Sequence, residues 1–245
     1  MFLRNLGSGS GGNATVVAHE DRAIIVDAGL SRRRMLDGLE GLRLEAVLIT
    51  HRHHDHLGPM AAKLGAPVWI ERENWLAAKD RASGLDGAQF FGSRSFRIGP
   101  FHITPFPLPH PGSERWTSHG FRIECGRKRL AYATDLGHAP DEVVEALSGV
   151  HVLFLESNHD PEMERASGRD PGTIDWVLSD HGHLSNAQCA ETLARIGRPH
   201  TVVLGHLSQD CNRPALAREA ARKALPRSTR LVLATQDEAG EPVLC

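Results

Sequence analysis

At 245 residues the chain can form one large domain with a substantial core, and no composition shift marks a linker, so a single domain over 1–245 is expected. A net charge of −2 supplies no global field toward nucleic acid or a membrane surface. Cys125, Cys189, Cys211 and Cys245 are too scattered for a zinc knuckle or a disulfide framework. The N-terminus lacks the long apolar core of a signal peptide, and no run could span a bilayer, so a cytoplasmic setting without membrane attachment is the expectation.

In chain order, strands are predicted over residues 2–6, 14–18 and 23–26, with the Gly/Ser-rich segment 7–13 between the first two. That segment reads equally as an anion-facing loop or a flexible hairpin connection. Ser31 caps a predicted helix over 32–39. A strand over 46–50 precedes a histidine cluster, and a helix over 57–64 follows it, with Pro59 in its first turn. A short strand at 67–70 and a helix at 71–78 lead into 81–92, the least patterned stretch, which reads as a loop. Strands are then expected at 95–98, 101–105, 117–124 and 129–134, with a hairpin turn at Gly126-Arg127. Pro140-Asp141-Glu142 opens a helix, 150–156 is a buried strand, and 173–178 a short helix. Ser185-Asn186-Ala187-Gln188 matches a capping box and starts a helix to Ile196. A strand at 201–204, a helix at 214–224 and a strand at 230–234 complete the chain. Strand clusters followed by helix–strand alternation argue an α/β sandwich with helices outside packed sheets.

The chain is organised around Thr50-His51-Arg52-His53-His54-Asp55-His56, delivered by the apolar run Ala46-Val47-Leu48-Ile49. Three imidazoles and a carboxylate in the pattern H-x-H-x-D-H suit Zn, Mn or Fe rather than Ca or Mg. Further candidates sit where other apolar runs end. Leu130-Ala131-Tyr132-Ala133-Thr134 runs into Asp135, Val202-Val203-Leu204-Gly205 into His206, and Leu153-Phe154-Leu155-Glu156 into Ser157-Asn158-His159. His110 ends the β-like run Phe106-Pro107-Leu108-Pro109. Reactive residues just past apolar strands are what a cleft at a sheet edge requires. His51, His53, Asp55, His56, His110, Asp135 and His206 exceed one tetrahedral zinc but fit two divalent transition metal ions sharing a carboxylate. Such a pair brings bound water toward a pKa of about 7, and Asp55 would ligate one ion and orient a bridging hydroxide.

At these residues the sequence resembles the metallo-β-lactamase-fold hydrolases, whose pattern is H-x-H-x-D-H followed by separated His, Asp and His. The resemblance covers nearly the whole chain and implies a four-layer αββα sandwich. It also implies that His51, His53 and His110 hold one metal, that Asp55, His56 and His206 hold the other, and that Asp135 bridges. The iron redox branch of the fold carries glutamate where this chain has His53, which argues for hydrolysis.

Further segments look like the YycJ/WalJ-like bacterial exonucleases: Ser8-Gly9-Ser10-Gly11-Gly12-Asn13-Ala14, Asp27-Ala28-Gly29-Leu30-Ser31, Ser157-Asn158-His159-Asp160, Gly182-His183-Leu184-Ser185-Asn186, and His206-Leu207-Ser208 with Asn212. Gly11 departs from that pattern, where serine would be expected. The resemblance implies 5′-to-3′ degradation of duplex DNA ends. His183, just before a capped helix, reads as a catalytic proton donor or phosphate contact, or as a loop histidine bonded to backbone. Ser157, Asn158, His159 and Asn186 read as substrate contacts. A small-molecule diester or cyclic phosphodiesterase, or a lactone hydrolase, would use the same site, and a metal-bound scaffold is the non-enzymatic rival.

Overall fold

Ala23-Ile24-Ile25-Val26 and Ala46-Val47-Leu48-Ile49 are fully buried, as strands of a parallel sheet covered on both faces must be. The computed structural model describes residues 1–78, 84–85, 87–110 and 116–245. Its contacts fall into two compact units: Met1–Pro105 with Ile123–Lys128 and Thr235–Cys245, and Phe106–Arg122 with Arg129–Ala234.

The first unit is built on a seven-stranded mixed sheet in the order β14-β1-β2-β3-β4-β5-β6. These strands are β1 (Phe2–Gly7), β2 (Ala14–His19), β3 (Arg22–Val26), β4 (Arg43–Leu48), β5 (Val68–Glu71), β6 (Gln89–Phe91) and β14 (Val243–Leu244). β3 to β6 run parallel, so their C-terminal ends share one edge. On one face Val16, Ile25, Val47 and Ile70 pack with Met35 and Leu39, brought by helix α1 (Arg32–Gly38) and the residue after it. Ser31 caps α1 by accepting from the Arg34 N–H. Helix α2 (Arg72–Ala78) adds Ala78 to this core.

The second seven-stranded sheet has the order β13-β12-β11-β10-β9-β8-β7. Its strands are β7 (Phe96–Ile98), β8 (Phe101–Leu108), β9 (Ser118–Cys125), β10 (Lys128–Ala133), β11 (Val152–Glu156), β12 (Thr201–Gly205) and β13 (Arg230–Leu233). β10 to β13 are parallel and supply the second unit's common edge. Alternate residues Ala131, Ala133, Leu153, Leu155, Val202 and Leu204 pack with Val143 and Leu147 of α3 (Asp141–Leu147), Cys189, Leu193 and Ile196 of α6 (Asn186–Ile196), and Ala217 and Ala221 of α7 (Pro214–Ala224). Burying each large side chain contributes about 1.5–3 kcal/mol. The Ser185/Gln188 capping box is formed as the sequence predicts. Among the described residues no helix is long and apolar enough to cross a membrane.

Several elements differ from expectation. Residues 57–64 form only a 3-10 turn at Ala61–Lys63, because Leu57 bridges to Ala28 and the Gly58 N–H donates to the Ala28 carbonyl, pinning the segment in extended pairing. β8 runs on through Pro105 and Pro107 to Leu108 rather than stopping at Pro105. Residues 81–83 and 86 of the expected loop lie outside the described residues, and its end is strand β6. Helix α4 (Pro161–Arg165) was not expected; Asp160 caps it and proline takes its first turn. Helix α5 (Pro171–Val177) begins two residues before its expected start.

The strand ends of the first unit are tied to one another through main chain. The Asn13 N–H donates to the Asp55 carbonyl, and the Gly29 N–H to the Asn13 carbonyl. A Cβ on Gly29 would lie 1.7 Å from the Asp55 carbonyl oxygen, so no side chain fits there. Gly29→Ala is expected to lower the Tm by about 6–12 °C, as a core overpacking of about 3 kcal/mol would. Gly92→Ala, with nothing within 4 Å of its added methyl, should leave Tm unchanged within about 2 °C. Differential scanning calorimetry of the two variants checks both.

Candidate metal centre

In the first unit the histidine cluster leaves β4 at its C-terminal edge and is held by a buried acid beside it. Asp27, just past β3, takes a left-handed φ of 62° and accepts from the Thr50 N–H at 2.9 Å and the Thr50 hydroxyl at 2.8 Å through Oδ1. Its Oδ2 faces His56 Nδ1 at 2.8 Å. Burial pushes the Asp27 pKa up, against the opposing pull of His56 and Thr50. His51 Nδ1 lies 3.0 Å from the Thr50 oxygen, whose own proton goes to Asp27. Nδ1 of both His51 and His56 is therefore the protonated nitrogen, and Nε2 carries the lone pair a metal needs. His53 turns the other way, with Nδ1 2.9 Å from His51 Nε2. That spacing suits two ring nitrogens sharing one cation at about 2.0–2.1 Å each. Asn13 donates its amide to Asp55 Oδ2 at 3.2 Å and to His56 Nε2 at 3.0 Å, a contact that a cation on His56 would displace. His54, between His53 and Asp55 in sequence, is turned outward with its side chain 83 % exposed.

In the second unit the arrangement centres on Glu156, the last residue of β11 and fully buried. Its Oε1 receives Nδ1 of His206 at 2.7 Å and Nδ1 of His183 at 2.8 Å. Its Oε2 receives the N–H groups of Leu136 at 3.2 Å and Leu184 at 3.0 Å. Burial alone would push Glu156 up, but the two imidazoles outweigh it and hold the carboxyl at about 2. Asp135 Oδ1 lies 3.7 Å from His183 Nδ1, 3.8 Å from His206 Nδ1 and 4.0 Å from His110 Nε2. His110 Nδ1 donates to the Gly182 carbonyl at 2.9 Å, which again leaves Nε2 for a metal. Asp135 and His206 both adopt left-handed backbone, with φ of 62° and 55°. Such conformations cost about 1–3 kcal/mol and persist where surroundings over-determine them.

Ligand atoms of Asp135, Glu156, His183 and His206 all lie within 4.8 Å of one another. With four hydrogen bonds already accepted, Glu156 is an orienting group rather than a ligand. Neutral imidazoles with committed Nδ1 protons, beside buried carboxylates, are a donor chemistry that suits divalent transition metals.

The residues read as substrate contacts are turned inward. Ser157 donates its hydroxyl to Asn186 Oδ1 at 2.7 Å, and Asn186 donates its amide to Asn212 Oδ1 at 2.9 Å. Asn212 in turn donates to the carbonyls of Ser157 and Asn158, and Asn158 donates to the His206 carbonyl at 2.8 Å. This buried network fixes the loop that carries His206. His159 is 1 % exposed, and burial pushes its pKa down, so it is a neutral imidazole. Sequence reasoning passed over Glu156, Asp27 and Asn13 as individual functional groups. The available signal was position: Glu156 and Asp27 stand at apolar strand ends just as His51, Asp135 and His206 do.

The profile of the Beta-lactamase superfamily domain matches residues 22–207. Across 236 residues the chain is 31 % identical to Exodeoxyribonuclease YycJ of Bacillus anthracis, covering 90 % of this chain and 87 % of that one. It is 30 % identical over 232 residues to Exodeoxyribonuclease WalJ of Streptococcus pneumoniae, covering 86 % and 83 %. Its fold superposes on the metallo-beta-lactamase fold protein YhfI from Bacillus subtilis with a TM-score of 0.75 at 19 % identity, over 98 % of this chain and all of that one. The chain therefore belongs to the beta-lactamase superfamily, in its YycJ/WalJ-like branch, and is a metal-dependent hydrolase of the αββα class expected from its sequence.

Because the folded Glu156 sits at about 2, below an ordinary glutamate's 4.5, its stabilising contribution is complete above pH 4.5 and lost as pH falls through 2. In protein freed of metal by chelation, the urea midpoint of Glu156→Gln should lie below wild type at pH 5. The gap should narrow steadily toward pH 2. A gap independent of pH would show that the pairing contributes no ionisation-linked stability.

Proposed function

We propose that the chain is a two-metal phosphodiesterase that degrades duplex DNA from 5′ ends. Supporting this is the alignment over nine-tenths of the chain with relatives named exodeoxyribonucleases, joined to donors whose chemistry suits divalent transition metals. Zn and Mn fit the mixed imidazole and carboxylate donors. The proposed ligands are His51, His53, Asp55, His56, His110, Asp135 and His206. A bound pair supplies Lewis acidity and an activated water near neutral pH.

The chain's own groups do the rest. Asp27 and Glu156 hold the imidazoles in their tautomers, so the ligands are oriented before any cation arrives. Asp55 contributes the charge that an amide of the same shape lacks. His183, tied to Glu156 through Nδ1, keeps Nε2 for a phosphate oxygen or a leaving group. The capped N-terminus of α6 begins two residues after His183. The 5′-phosphate is proposed to sit beside His183, whose imidazole can contact its oxygens.

Protein purified without chelator is expected to carry two equivalents of Zn or Mn by elemental analysis, and a constant single equivalent would overturn the two-metal reading. Asp55→Asn should lose about 100-fold or more in kcat while KM changes little, since the lost charge acts on turnover rather than on binding.

End dependence is tested on matched substrates. A linear duplex should be degraded, faster with a 5′-phosphate than with a 5′-hydroxyl, and a covalently closed circle should not. His183→Ala should slow degradation about 100-fold, keep its metal content, and narrow the preference for phosphorylated ends. Equal cleavage of circle and linear duplex would remove the exonuclease reading and leave the phosphodiesterase.

A further inference from the structure

Trp176, near the end of α5, is 37 % exposed, whereas Trp116 is 8 % exposed. Its indole nevertheless packs edge-on against two imidazoles of the candidate centre, with ring centroids 5.4 Å from His183 and 5.5 Å from His110. The placement is enforced by main chain. The His183 N–H donates to the Val177 carbonyl at 3.1 Å, and His110 is tied to the Gly182 carbonyl between them. A Cβ on Gly182 would lie 2.2 Å from the Trp176 carbonyl oxygen and 2.3 Å from that of Val177. Only glycine lets the end of α5 approach this closely, and that approach is what sets the indole beside the imidazoles.

We propose that Trp176 is the stacking platform for the terminal nucleobase of the substrate, a residue that binds the chain end through a base rather than a phosphate. This rests on the nuclease reading of the site. Two features select a base as the occupant. Neither lysine nor arginine occurs in Pro171–Val177, and Asp175 and Asp180 flank the tryptophan, so this helix repels a phosphate backbone. Beside it stand His110 and His183 with Asp135, the groups suited to a phosphate and its metals. A nucleotide whose phosphate engages those groups has its base tethered within reach of the indole, whose ring centroid lies 5.4 Å from that of His183. Stacking on an aromatic ring tolerates any base, which suits an enzyme that must step along arbitrary sequence.

The test compares steady-state kinetics on two duplexes identical except that the 5′-terminal nucleotide carries adenine or is abasic. Wild type should show a KM about tenfold higher for the abasic end, with kcat within about twofold. Trp176→Ala should raise KM for the intact end about tenfold and treat both ends alike, while Trp176→Phe should restore most of the discrimination. The platform is overturned if wild type does not distinguish the ends, or if Trp176→Ala keeps the wild-type ratio. The wild-type comparison decides alone should the alanine variant not fold. If neither duplex is cut while bis(p-nitrophenyl) phosphate is hydrolysed, the nuclease reading itself fails and the base platform falls with it.

Discussion

Three of the five candidate imidazole ligands have the nitrogen they can offer a metal chosen by a buried carboxylate behind them. Glu156 does it for His206 and His183, and Asp27 does it for His56 and, through Thr50, for His51. The two acids are shifted in opposite directions. Two imidazoles and two backbone N–H groups overcome the burial of Glu156 and hold it at about 2. Asp27 has one imidazole and one threonine, and there burial wins, so its pKa is raised. Above its folded pKa the Asp27 carboxylate is therefore a net cost to stability. The fold carries that cost because a neutral aspartic acid would no longer fix the tautomer of His56.

Asp27, Asp135 and His206 are placed by a shared backbone device. In each unit the parallel strands end on a common edge, and at three such ends the chain turns through a left-handed residue that is not glycine: Asp27 after β3, Asp135 after β10 and His206 after β12. An ordinary extended exit would continue the strand and alternate the next side chain to the other face. The left-handed turn aims a functional side chain along the edge instead. Three such turns cost several kcal/mol together. The offset comes from cores with little slack: Ala131, Leu153, Val202 and Leu204 are each fully buried against helices α3, α6 and α7.

Legibility from sequence followed the range of each interaction. The H-x-H-x-D-H cluster was readable because its ligands lie within six residues, and the Ser185 capping box because it closes over three. Apolar runs announced most strands. What escaped needed partners far away in the chain. Glu156 ends a run of apolar residues and reads identically whether it faces solvent or receives His206 from 50 positions on. The expected helix at 57–64 was lost to a main-chain pairing with Ala28 that no local pattern encodes. The inward turn of Ser157 and Asn186 likewise depends on Asn212, which sits in a different loop. Helix α4 spans only Pro161–Arg165, too short to show a period, although Asp160-Pro161 was a usable start signal.

A net charge of −2 is compatible with a polyanionic substrate once charge is counted at the site rather than over the chain. In the proposed ligand set five of the seven donors are imidazoles, and fixed Nδ1 contacts leave Nε2 of His51, His56, His110 and His206 as the nitrogen for a metal. Only Asp55 and Asp135 bring negative charge directly, so two divalent ions would retain a surplus of about two positive charges there. Glu156 does not cancel that surplus freely, because its charge is already shared among two imidazoles and two N–H dipoles. His51, His56, His110, Asp135 and His206 are buried, so charge held by them would be screened less than charge on the surface. A phosphodiester therefore meets attraction only at close range, at the strand ends. Such a local field would suit the proposed action at a chain end, where a strongly basic surface would instead give a long lateral grip.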